Sequence, residues 1–170
     1  MRKNVQKVEV TQSLLKTLFD YREGELWHKD SDLRATSNPK QGYKQVRVMG
    51  QKLPAHRMIY LLLTGTLPAL LDHANRIRTD NRIENLREAS HSQNSVNSSR
   101  VNRATGLRGV AFCKRRNRYY AQVTCNGLRQ SWGYFETGLE AAEVYDQKAV
   151  ELFGEFAVTN FKSSSNGTSP

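Results

Sequence analysis

Apolar positions recur with two different periods along this chain. In residues 9–20 (EVTQSLLKTLFD), Leu14, Leu15, Leu18 and Phe19 follow helical spacing behind Thr11, which can cap the first turn. Residues 55–65 (AHRMIYLLLTG) are apolar over most of their length and predict a buried helix ended by Gly65. Between these helices, GELWHKD, GYKQVRV and QKLPAHR each follow or flank a glycine, and Met49-Gly50 predicts a hairpin turn. Beyond residue 106 the period changes. LRGVAF, YYAQVTC and LRQSWGYF predict short strands, with Asn126-Gly127 as a type I′ turn between the second and third. Residues 138–153 (GLEAAEVYDQKAVELF) return to helical spacing. The expected apolar stripe is Leu139, Ala142, Tyr145, Ala149 and Leu152 or Phe153, with a Thr137–Glu140 capping box at the start and Gly154 as the stop.

These elements predict an α+β chain: a small N-terminal α/β region, then a three-stranded antiparallel sheet with a helix. The expected parts are 1–98, a linker at 99–105, a second domain at 106–161 and a disordered tail at 162–170. The wider stretch 95–106 (SVNSSRVNRATG) is small, polar and basic, which suits a linker or an extended arm following DNA.

Charge sharpens this picture. The 170 residues carry 26 Lys and Arg against 16 Asp and Glu, a formal net charge of +10. The isoelectric point is near 9.9 and the mean hydropathy −0.68. Such an excess points to a polyanion, nucleic acid ahead of an anionic membrane. From 101 to 131 there are seven basic residues and no acid, whereas 132–170 holds two basic and six acidic ones. A sheet carrying the positive charge and backed by an acidic helix would offer one face to phosphate. Only Cys113 and Cys125 are present, with no C-x-x-C pair, so a structural zinc site is not expected and both should be reduced thiols. The start, MRKNVQKVEV, lacks the apolar run of a signal peptide, and MIYLLL at 58–63 is too short to span a bilayer. A cytoplasmic protein without membrane attachment is therefore expected, and N-x-S/T at Asn97 and Asn166 carries no glycosylation weight.

Candidate chemistry concentrates in residues 71–94, LDHANRIRTDNRIENLREASHSQN. Hydrolysing a phosphodiester requires a base for water, and histidine titrates near neutrality. It also requires charge stabilisation, which a hard cation on oxygen ligands supplies. Asp72 and His73 at the end of a strand would point to opposite sides, one toward a cation and the other toward water. A second oxygen ligand has to come from elsewhere, and Asn94 lies on a run able to form a short helix.

D-H-x-N, then D-N-R-I-E-N-L-R, then S-x-Q-N resembles an HNH endonuclease of the phage and intron homing type. The upstream AHRMIYLLLTGTLP is similar to the A-H-R-L-I-W-L-L-x-x-G-x-x-P segment of phage members. The resemblance covers roughly residues 10–98 and implies a ββα-metal finger at about 68–98. It implies His73 as general base and Asp72 and Asn94 as ligands of a divalent cation, Mg²⁺ or Mn²⁺. It also implies that Asn85 holds the loop and orients the histidine. Asn75-Arg76-Ile77 departs from the usual N-G-D, which removes no ligand. His56 reads as a packing or loop-bonding histidine, and His28 and His91 as surface residues, His91 with reach to a phosphate. Asp80, Asn81 and Arg82 read as loop-bracing groups, Arg82 with possible reach to the DNA backbone.

The pattern LRGVAF…RYYAQV…GYFETGLEAAEVYDQKAVELFGEFAVTNF, over about 106–161, resembles an AP2/ERF DNA-binding domain. The likeness implies a sheet in the major groove with the helix on its back. Tyr119, Ala121 and Val123 would then pack on the helix, while Tyr120, Gln122 and Thr124 face DNA. Arg108 and Arg129 match contact positions of that family, Gln122 could read adenine, and Arg115, Arg116 and Arg118 would clamp phosphates. Ala111, Thr124 and Ser131 depart from the plant pattern, so the plant target does not carry over.

Together these features predict a metal-dependent, site-preferring endonuclease acting on double-stranded DNA, phage-encoded, nicking as a monomer in bacterial cytoplasm without an obligate protein partner. The competing class is a sequence-specific DNA-binding regulator with a vestigial nuclease motif. An RNA-binding role is weaker, because a sheet cannot read the narrow major groove of A-form RNA. Residues 20–55 either contact DNA through Lys40, Lys44, Arg47 and Lys52 or brace the finger.

Overall fold

The computed structural model describes residues 9–37, 42–98 and 100–161. Lys40 and the 162–170 tail therefore lie outside the described residues. The architecture mixes helices with small antiparallel sheets, and the chain divides into two compact units, Met1–Glu88 and Ala89–Pro170.

The first unit opens with α1 (Gln12–Leu18), where the Thr11 hydroxyl accepts from the Leu14 amide. The helix stops before Phe19, because the chain turns directly into the hairpin of β1 (Phe19–Arg22) and β2 (Glu25–His28). A second hairpin joins β3 (Gln45–Val48) to β4 (Gln51–Pro54). Its turn is Met49-Gly50, both at positive φ, as a type I′ turn requires. α2 (Ala55–Thr64) follows and ends at Gly65 in the left-handed region. The third pair is β5 (Leu71–His73) with β6 (Leu86–Glu88), joined by a loop that closes in a 3-10 turn, Ile83–Asn85. Leu15, Phe19, Leu26, Val46, Val48, Met58, Ile59, Leu61, Leu62 and Leu86 form one core, which fixes α2, both hairpins and β6 together.

In the second unit α3 (His91–Val96) begins with a Ser90–Gln93 capping box, and Ala89 before the helix and Val96 at its end pack into this unit's core. Residues 102–110 form hydrogen-bonded turns rather than an extended arm. The Asn102 side chain donates to the Val110 carbonyl and accepts from the Ala104 amide. β7 (Val110–Cys113), β8 (Arg118–Cys125) and β9 (Leu128–Phe135) form an antiparallel sheet in that order. α4 (Gly138–Phe153) covers one face and carries the Thr137–Glu140 capping box. Its buried stripe is Ala141, Ala142, Tyr145, Ala149 and Phe153. Leu139 and Leu152 face outward instead, since the i, i+4 row through Ala141, Tyr145, Ala149 and Phe153 meets the sheet and they lie off it. Gly109 permits this packing. Its φ is +64°, and a Cβ there would lie 1.9 Å from the Tyr145 ring. Asn160 closes the unit: its amide nitrogen donates to Asp146 of α4 and to the Arg108 carbonyl, and its side-chain oxygen accepts from the Arg108 amide.

Candidate functional site

Pairing of β5 with β6 sets Asp72 opposite Arg87 and His73 opposite Leu86, so consecutive side chains take opposite faces. The Arg87 guanidinium donates from Nε and Nη2 to one Asp72 oxygen, both at 3.1 Å, and Asp72 is buried. His73 is buried too, with Nε2 3.1 Å from the Asn81 side-chain oxygen.

The loop between the strands is built by polar side chains bonding backbone. Asn85 is buried; its side-chain oxygen accepts from the Asn75 amide at 2.9 Å, and its nitrogen donates to the Asp80 carbonyl at 2.8 Å. Arg82 donates through two nitrogens to Asp80, which holds that carboxyl well below the usual carboxylate range. Arg76 sits at φ +65°, where the resembling family favours glycine. The turn survives because the Arg76 amide donates to the His73 carbonyl and the Ile77 amide to the Asn75 side chain.

Around His73 the rings gather. His56, near the start of α2, lies 5.2 Å from it between centroids, and Tyr43 stacks at 4.9 Å on His56 and 5.7 Å on His73. The Arg78 guanidinium lies over Tyr43. Burial, then the neighbouring His73 and Arg57, push the His56 pKa down to about 4. His56 is therefore neutral at pH 7, and its Nδ1 has no hydrogen-bond partner among the described residues.

Asn94 is exposed on α3, which belongs to the second unit. Among the described residues no group of three or more His, Cys, Asp or Glu side chains is placed to hold a metal ion. The resemblance implies Asp72, a carboxylate of the first unit, and Asn94, an amide of the second, as ligands, and both are hard oxygen donors. That set fits Mg²⁺ or Mn²⁺, which complete their shells with water and phosphate oxygens.

On the three-stranded sheet the alternation is as expected: Ala121 and Val123 are buried toward α4, while Tyr120, Gln122 and Thr124 take the other face. Register places Gln122 opposite Ser131 and Thr124 opposite Arg129, and the Arg129 guanidinium donates to the Gln122 side-chain oxygen. Arg116 lies over the exposed Tyr134 ring at 4.4 Å, and Tyr134 packs beside Tyr120. Arg115 is exposed in the β7–β8 turn, and Arg118 pairs with Glu136. Arg108 is placed differently from a groove-reading side chain. It is buried, and its guanidinium donates to the Val96 and Ser98 carbonyls, so its charge ties this unit together.

Sequence reasoning missed three contacts. Asn81 touches His73 directly; its burial gave no signal in a run of polar residues. Tyr43 joins the ring cluster from a distant segment. Arg87 on Asp72 was findable, since a β5–β6 hairpin pairs those two residues as opposite charges across the strands. His28 packs its ring against Phe19, whereas His91 is exposed.

Comparison with known proteins agrees with this picture for the first part of the chain. Residues 53–96, which contain α2, β5, the loop, β6 and α3, match the HNH endonuclease family and constitute an HNH endonuclease domain. A protein of Acanthamoeba polyphaga mimivirus, described as an uncharacterized HNH endonuclease, is 36% identical over 124 residues. The match covers 71% of this chain and 64% of that relative's length. No solved structure matches the chain. No helix among the described residues is long and apolar enough to cross a membrane.

Proposed function

We propose that this protein is a metal-dependent, site-preferring endonuclease of the homing type that nicks double-stranded DNA. The observation that carries the reading is His73, buried beside Asp72 on a three-residue strand inside the HNH domain. A strand end enclosed by a cross-linked loop holds an imidazole in one orientation, as a general base requires. In the proposed reaction His73 takes a proton from water. The water oxygen bonds to phosphorus, the bond from phosphorus to a sugar oxygen breaks, and the departing oxygen is protonated from solvent. Asp72 and Asn94 would hold the divalent cation, which supplies charge stabilisation on the phosphate oxygens. Asn85 keeps the loop closed.

The second unit is proposed as an AP2/ERF-like groove reader. Its sheet presents Gln122 and Arg129 as a joined pair, with Arg115, Arg116 and Arg118 toward phosphates. Arg108 takes the bracing role its contacts describe. In the first unit Lys44 is paired with Glu25, whereas Arg47 and Lys52 are exposed opposite each other, a like-charge pair that a DNA backbone would relieve. The chain is read as phage-encoded and acting in bacterial cytoplasm, as a monomer making one nick per site; the viral relative supports the viral origin alone.

The test is cleavage of a mapped DNA duplex with Mg²⁺ or Mn²⁺ by wild type and by His73→Ala. The reading expects strand-specific nicking by wild type and binding without cleavage by the variant. Equal loss of binding and cleavage in a folded variant contradicts the base assignment. Binding without metal-dependent cleavage by either protein favours the regulator.

A further inference from the structure

We propose that Asn81, rather than Asn85, is the positioning residue that orients His73, by accepting the hydrogen on its Nε2; this rests on reading His73 as the base. The Asn81 side-chain oxygen lies 3.1 Å from His73 Nε2. An amide oxygen only accepts, so with that oxygen as the partner the neutral imidazole carries its proton on Nε2 and its basic lone pair on Nδ1, whereas the amide nitrogen in its place would make Nε2 the acceptor. The same contact fixes the ring plane. Asn85 does something different: its side-chain bonds go to the Asn75 amide and the Asp80 carbonyl, so it shapes the loop backbone.

Burial separates Asn81 from its neighbours. It is 1% exposed, and its side-chain nitrogen has no partner among the described residues. A buried donor left without a partner costs stability, and an apolar side chain would avoid that cost. The amide is explained by what its oxygen does for His73.

The β1–β2 hairpin holds Asn81 in place. Gly24, at φ +80°, lies so close to the 81–82 backbone that a Cβ would fall 2.9 Å from the Arg82 nitrogen and 3.1 Å from the Asn81 carbonyl carbon. Two residues on, the Ile83 amide donates to the Tyr21 hydroxyl at 3.2 Å. The hairpin therefore seats on Asn81–Ile83 and, through Asn81, on the histidine. Residues 19–28 gain a role from this chain of contacts: they brace the base.

The experiment compares wild type, Asn81→Ala and Asn81→Asp. The His73 tautomer is read by long-range ¹H–¹⁵N correlation on the metal-free protein, and kcat and DNA Kd are measured with Mg²⁺. Wild type should show Nε2–H. Asn81→Ala should lose that preference and roughly 10–100-fold in kcat, with DNA affinity unchanged. Asn81→Asp restores an acceptor oxygen and should recover the tautomer and much of the rate. If Asn81→Ala does not fold, Asn81→Leu fills the slot and reads the same quantities. An active wild type with Nδ1–H, or an Asn81→Ala enzyme of full kcat, overturns the Asn81 assignment alone. A wild type with Nε2–H that never cleaves DNA overturns the nuclease reading, and the base role falls with it.

Discussion

Around β5, the side chains proposed for chemistry are buried with polar partners: Asp72 on Arg87, His73 on Asn81, and Asn85 on loop backbone. In the second unit, by contrast, Arg115, Arg116 and Arg129 stand in solvent, Arg118 pairs with Glu136, and Arg108 is drawn inward. A reacting group must be held in one orientation, which requires a dense polar network that costs stability to bury. A phosphate-binding face needs charge at the surface and tolerates mobility. The contrast predicts that substitutions in the first unit change folding and chemistry together, while those on the sheet change binding alone.

The largest expected effect comes from breaking the loop. Asn85→Ala leaves the Asn75 amide and the Asp80 carbonyl without their partners. It should lower stability by about 3 kcal/mol in urea unfolding and abolish cleavage. Stability unchanged by this substitution would dissolve the contrast between the units. On the other side of the comparison, Arg115→Gln with Arg116→Gln should weaken duplex binding roughly 10–100-fold. It should also flatten the salt dependence by about two units of slope, with the melting temperature unmoved.

A third effect separates the units by pH. His56 carries a folded pKa of about 4 against an ordinary 6.5. Well above pH 6.5 it is neutral folded or unfolded, and its contribution is complete. As pH falls from 6.5 toward 4 the unfolded chain binds a proton that the folded chain refuses, so stability drops. Between pH 7 and pH 5 the loss from this group is on the order of 2 kcal/mol, and His56→Asn should flatten it. An unchanged pH profile in that variant would place the sensitivity elsewhere. The smallest effect tests the turn after His73: Arg76→Gly relieves a left-handed residue and should stabilise by roughly 0.5–1 kcal/mol, read as a rise in Tm.

Much of the fold could be read from local signals. Thr11, Gly65, Met49-Gly50, Asn126-Gly127 and the Thr137–Glu140 box each act within a few residues, and the structure shows each of these devices. The direction of the α4 stripe was harder, because Leu139 and Ala141 both satisfy helical spacing and only the sheet decides between them. At the candidate site, adjacent Asp-His and the spaced asparagines were visible. The burial of Asn81, the stacking of Tyr43 and the inward turn of Arg108 depend on packing between segments far apart in sequence, which no local pattern carries.

The most direct measurement is relaxation of supercoiled DNA by wild type and His73→Ala, each with and without Mg²⁺ or Mn²⁺, on DNA both proteins bind. The account predicts relaxation by wild type only, and only with metal. Metal-independent relaxation, or equal relaxation by His73→Ala, would contradict it.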